Sequence, residues 1–197
     1  MNIALISTYE LGRQPFGLVS PAAWLRNAGH QVSCVDLTRD SLNPAAICAA
    51  QLIAIYLPMH TATRLAAKLI PQLRGLNPGA HVCCYGLYAP MNAEYLRSLG
   101  VATILGGEFE AALVRVAERL SAGAESPNHK VESKPSWGTP CCASTTNREP
   151  QVSLERLQFQ VPDRAGLPPL GKYAHLVMPG QGFRVVKITP RGPLWRN

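Results

Sequence analysis

The chain has no long apolar run. Its longest, such as Leu52-Ile53-Ala54-Ile55-Tyr56-Leu57, is far too short to span a bilayer. Met1 leads directly into a strand, with no basic n-region and no cleavable apolar segment. Secretion is therefore not expected, and the reading is a cytoplasmic protein. The familiar catalytic templates are missing too: there is no Walker loop, no GxGxxG, no GxSxG and no HExxH. Six cysteines occur as Cys34, Cys48, Cys83-Cys84 and Cys141-Cys142. None forms CxxC, CxxxCxxC or a Cys/His spacing suited to zinc or an iron–sulfur cluster. No metal site and no catalytic residue is expected, and Cys34, Cys83 and Cys84, inside expected strands, read as small reduced core residues.

A basic stripe is lacking as well. The net charge is +7, but residues 1–120 carry 9 Lys/Arg against 7 Asp/Glu, and residues 121–197 carry 10 against 5. The excess belongs to the tail, where Pro and Glu interrupt it. That pattern predicts a solvated tail and neither nucleic-acid nor membrane partners.

What the first 120 residues do have is alternation. Asn2-Ile3-Ala4-Leu5-Ile6 reads as a buried strand, and a helix is expected over 19–29, with Ser20-Pro21 at its start and Gly29 at its end. Strands follow at 31–36, 52–57, 80–85 and 101–105, and helices at 44–50, 61–74, 90–98 and 108–120. Five strands joined by helical crossovers predict an α/β, flavodoxin-like (Rossmann-like) domain: a five-stranded parallel sheet of order 2-1-3-4-5 with helices on both faces. Residues 121–150, rich in Ser, Thr, Pro and charge, read as a disordered linker. Residues 151–197 form an irregular extension: Val152 to Phe159 alternates like a strand, Pro162 to Leu170 is a Pro-fixed connector, and the rest is too little for a core.

A sheet of this kind binds ligands where strands end and helices begin, because unpaired backbone N–H groups face one crevice there. The loop Ser7-Thr8-Tyr9-Glu10-Leu11-Gly12 empties from the first strand into that place. Pro58-Met59-His60 leaves the third strand, so His60 reads either as a ligand-facing residue or as a plain helix cap. Gly106-Gly107-Glu108-Phe109-Glu110 leaves the fifth; its glycines permit close approach, and its acids suit the helix dipole but argue against a phosphate seat.

These residues carry a resemblance. The Gly-bearing first loop, Tyr56-Leu57-Pro58-Met59-His60, Tyr85-Gly86-Leu87-Tyr88-Ala89-Pro90 and Leu105-Gly106-Gly107-Glu108-Phe109-Glu110 together resemble the cobalamin-binding domain at the front of many radical S-adenosylmethionine proteins, over roughly residues 1–120. Leu167-Pro168-Pro169 is similar to the bridge by which such proteins enter their catalytic barrel. The resemblance implies a cobalamin-binding module whose cofactor meets Thr8, Tyr9, Gly12, Tyr56, Leu57, Pro58, His60, Gly86, Leu87, Tyr88, Gly106, Gly107 and Glu108.

Two departures shape that expectation. Histidine-ligating cobalamin domains carry D-x-H-x-x-G after the first strand; here Ser7 takes the aspartate's place and Tyr9 the histidine's, so cobalamin without histidine ligation is implied. Tyr56 likewise stands where those relatives place a serine that meets the nucleotide tail. Further on, Pro190-Arg191-Gly192-Pro193 is a near miss to the family's run into its cluster motif, and no CxxxCxxC follows. The expectation is a front part truncated before the catalytic part, with no iron–sulfur cluster of its own and a separate radical S-adenosylmethionine chain as partner. Two other readings stay open: a cofactor-free, receiver-like interaction domain, although Ser7-Thr8 and Tyr56-Leu57-Pro58 lack the receiver's acids, and the front half of a nucleotide-sugar transferase.

Overall fold

The computed structural model describes residues 1–123, 151–154, 158 and 160–173. Along the chain run β1 (Asn2–Ser7), α1 (Phe16–Asn27), β2 (Gln31–Asp36), α2 (Pro44–Ala49), β3 (Leu52–Tyr56), α3 (His60–Leu76) and β4 (His81–Tyr85). There follow α4 (Tyr88–Met91), α5 (Ala93–Ser98), β5 (Thr103–Gly107), α6 (Glu110–Ser121) and β6 (Gln151–Ser153). Among the described residues the strands form one parallel sheet of order β2-β1-β3-β4-β5-β6. The expected order of the first five holds, and the count of five is corrected to six. The added strand is the start of the extension: Gln151-Val152-Ser153 pairs in parallel with Leu105-Gly106-Gly107. The linker expected at 121–150 and the stretch after residue 173 lie outside the described residues from 124 to 150 and from 174 on.

Both faces of the sheet are covered, which is why its strands are almost continuously apolar. Alternate residues feed two cores. Ile3, Leu5, Cys34 and Cys83 pack under α1 and α6; Ala4, Ile6, Ile55 and Cys84 pack under α2, α3 and the short helices. Asn43 caps α2, its side chain accepting from the Ala45 and Ala46 amides at 3.0 and 3.4 Å ahead of Pro44. On α3, Ala66, Leu69 and Ile70 face inward, while Leu65 is 41% exposed.

α1 begins three residues earlier than the sequence suggests, so Pro21 lies inside it and Ser20 does not cap it. A proline there leaves the carbonyl four residues back, that of Gly17, without its helical donor. The Tyr85 hydroxyl supplies one, donating to the Gly17 carbonyl at 2.7 Å. Ser20 instead donates to Glu110 Oε1 at 2.7 Å, joining α1 to α6.

The connector at 160–173 runs back along α1, from its carboxyl end toward its amino end. Asn27 bonds Gln160 at 2.5 Å, Arg26 pairs with Asp163 at 2.6 Å, and the Asp163 amide donates to the Val19 carbonyl at 2.9 Å. Gln14 then bonds both Arg164 and the Pro168 carbonyl. The strap reaches Tyr173, which is buried, under Arg39 at 5.5 Å from its ring centroid.

Candidate crevice at the carboxyl end of the sheet

Register aligns the last row of the sheet: Asp36, Ser7, Tyr56, Tyr85 and Leu105 are successive neighbours across the strands. Their side chains share the face covered by α1 and α6, because residues paired across a parallel ladder point the same way. Below this row the face is apolar; at the row itself it becomes polar and aromatic.

The loop after β1 rises from here. Thr8 is buried and its hydroxyl donates to the Ala62 carbonyl at 2.9 Å, tying β1 to α3. Tyr9 is half-buried. The Arg13 amide closes a turn onto the Glu10 carbonyl at 2.8 Å, with Leu11 (φ 48°) and Gly12 (φ 74°) both left-handed, as a type I′ turn requires. A leucine in that conformation is strained, and its side chain stands at the rim, 58% exposed. Glu10 folds inward instead. Its Oε2 is buried without a hydrogen-bond partner, and burial, aided by Asp36 and opposed by Arg13, pushes its carboxyl up to about 7. Asp36 is fully buried and serves its own loop, accepting from the Thr38 amide at 3.0 Å and hydroxyl at 2.8 Å.

Leu57, next after β3, turns its side chain into the core, so only its backbone faces the loops: its amide donates to the Tyr85 carbonyl at 2.7 Å, and its carbonyl accepts from Tyr88 at 3.0 Å. Pro58 is half-buried, and His60 is exposed as the first residue of α3. After β4, Gly86 is buried, Leu87 is 69% exposed and Tyr88 half-buried; Met91, closing α4, is 72% exposed.

Gly106, Gly107 and Glu108 sit differently from a loop that leaves room for a ligand. Both glycines belong to β5 and pair with β6. A Cβ on Gly106 would lie 2.4 Å from Pro90 Cγ, and one on Gly107 (φ 63°) 2.0 Å from the Ser153 carbonyl oxygen. The Glu108 amide donates to that same carbonyl at 2.8 Å. The space the glycines open is taken by the protein itself. The structure thus brings the loops after β1, β3 and β4 to one open end and draws the loop after β5 beneath β6 and Pro90.

The inner part of the crevice is also filled from within. The ring of Tyr56 abuts Gly17, where an added Cβ would be 2.3 Å from it, and Gly86, where the distance would be 3.0 Å. Tyr85 and Phe109 flank it with centroids 5.4 and 5.9 Å away, and are themselves 4.9 Å apart. Burial, with Glu10 and Glu110 nearby, pushes the Tyr56 phenol upward, so it stays a neutral phenol. Glu110 is buried behind the cluster; burial raises its carboxyl despite the bond from Ser20. Glu10, Tyr85 and Phe109 were not singled out in the sequence as site residues. The available signal was the run of aromatics at the ends of β3 and β4 and before α6. Among the described residues, no group of three or more His, Cys, Asp or Glu side chains is placed to hold a metal ion, and no helix is long and apolar enough to cross a membrane.

No protein-family model matches the chain, and no curated protein matches it. Among solved structures it is similar to the flavodoxin-like domain of a Synechococcus sp. protein, at 17% identity and a TM-score of 0.38, over 50% of this chain and 71% of that one.

Proposed function

We propose that this chain is a cobalamin-binding module of the radical S-adenosylmethionine type, working in the cytoplasm beside a separate catalytic chain that holds the iron–sulfur cluster. One observation carries the reading: three loops at the open end of the sheet put polar backbone between exposed apolar side chains. Leu11, Leu87 and Met91 stand out from that end, and Tyr9, Pro58 and Tyr88 lie half-buried between them. Corrin is a broad apolar macrocycle fringed with amides, so it needs both kinds of surface at once. In kind, the outer crevice fits the macrocycle. Tyr9, Gly12, Pro58, His60, Leu87 and Tyr88 would hold it, with Thr8, Leu57 and Gly86 contributing backbone. The inner crevice does not fit a further group while Tyr56 occupies it. When bound, cobalamin supplies a cobalt that carries an alkyl group. This chain's own residues would orient the ring and shield its lower face with apolar and phenolic groups instead of an imidazole.

A cofactor-free interaction domain is the second reading, and the filled inner crevice favours it. Titrating the folded chain into hydroxocobalamin, followed by visible absorbance and size-exclusion chromatography, separates the two. The cobalamin reading expects a changed spectrum and co-elution. It also expects Leu87→Asp to weaken binding about tenfold, or roughly 1.4 kcal/mol, without loss of fold, since Leu87 is exposed. An unchanged spectrum with no co-elution would sink it in favour of the interaction domain.

A further inference from the structure

Tyr56 is held by two glycines and two aromatic rings and stays partly exposed. Gly17 at the start of α1 and Gly86 at the exit of β4 have no side chains where the Tyr56 ring lies; a Cβ on Gly17 would collide with it at 2.3 Å, and one on Gly86 would crowd it at 3.0 Å. Tyr85, tilted beside it with its centroid 5.4 Å away, is pinned by its hydroxyl on the Gly17 carbonyl. Phe109 closes the third side at the turn into α6, and the Ser20–Glu110 bond behind it keeps α1 and α6 together. The slot is therefore a ready-made place for one flat aromatic ring, with glycine gaps on two sides, tilted aromatic rings on two more and an outer edge partly open. The chain fills it with its own phenol.

We infer that Tyr56 is a specificity-determining residue that closes this slot to the nucleotide tail of a corrinoid, so that the chain holds its ligand by the macrocycle alone. The inference rests on the cobalamin reading. The tail ends in a planar benzimidazole, a fused ring pair larger than the phenol, which would have to lie against the same aromatic partners and project through the side on which Tyr56 is partly exposed. With the phenol present, the base has nowhere to enter between α1 and β4. A ligand can still lie across the loops after β1, β3 and β4, but its tail stays outside. Contacts to the tail then add nothing to affinity, and corrinoids with and without it bind alike.

The test compares hydroxocobalamin with aquacobinamide, which keeps the corrin and lacks the nucleotide, in equilibrium titrations of the full chain. Wild type is expected to bind the two within about threefold of each other. Tyr56→Ser, which removes the ring and leaves Tyr85 and Phe109 as walls, is expected to prefer cobalamin by at least about tenfold. Tyr56→Phe, which keeps the ring, should behave as wild type. The readout is a ratio of two affinities, which a merely structural role of Tyr56 would not move. A wild-type preference for cobalamin of tenfold or more overturns the inference while leaving the cobalamin reading intact. So does a Tyr56→Ser chain that is folded by circular dichroism yet binds both equally. If Tyr56→Ser does not fold, the wild-type ratio still decides. Failure of wild type to bind either corrinoid overturns the cobalamin reading, and this inference with it.

Discussion

Glu10 is a residue whose surroundings change its protonation near neutral pH. With burial and Asp36 pushing its carboxyl up to about 7 from an ordinary 4.5, the folded chain keeps a proton that the unfolded chain releases. Stability from this source is complete below the ordinary value and is lost as pH rises through 7. The side chain is partly open to water, so screening reduces the loss to on the order of 1 kcal/mol. Glu10→Gln should therefore gain on wild type as pH rises from about 5 to 8, the window set by the shift. Urea denaturation of both chains at each pH checks it; parallel curves would mean that Glu10 titrates normally. Nothing local in Tyr9-Glu10-Leu11 announces this. The shift depends on a turn that folds the carboxyl inward and on Asp36, which arrives from another strand.

At the scale of elements, α1 shows how a long-range bond replaces a local one. Ser20-Pro21 is a sound helix start by local rules, yet the helix begins at Phe16, because the Tyr85 hydroxyl takes the Gly17 carbonyl that Pro21 cannot serve. Tyr85→Phe should leave that carbonyl buried and unpaired and cost about 1–3 kcal/mol. Pro21→Ala returns a backbone N–H at the right place, so the double variant should recover much of the loss. Thermal denaturation of the four chains of this double-mutant cycle measures the coupling, and additive effects would refute the substitution of one bond for the other. The partner stands 68 residues away, beyond any window in which periodicity can be read. The two glycines after Leu105 were misplaced in the same way. Glycine suggests a loop, but here it lets Pro90 and β6 pack closely.

For the whole molecule, the order of the first five strands was legible because buried parallel strands and helical crossovers leave a plain pattern in Ile, Leu, Val and Ala. For β6, Val152-Ser153 lay within the stretch whose alternation reads as a strand, but its shortness and its place at the edge of β5 were not legible, since pairing with β5 decides both. The crevice was legible as a place; its contents were not, because whether a glycine opens space outward or inward depends on the packed neighbour. One further consequence belongs to time. The strap meets α1 through pairs separated by 133 and 154 residues, as in Asn27–Gln160 and Gln14–Pro168, whereas β1 to β5 are complete by Gly107. During synthesis the five-stranded sheet can thus assemble before the strap has emerged, and the strap docks last onto a finished helix. What docks last opens first. In native-state hydrogen exchange, the Asp163 amide, bonded to the Val19 carbonyl, should exchange through a sub-global opening with little dependence on denaturant. The amides of Leu5 and Ile55, in the interior strands β1 and β3, should await global unfolding. A shared denaturant slope for all three would mean that strap and sheet form one cooperative unit.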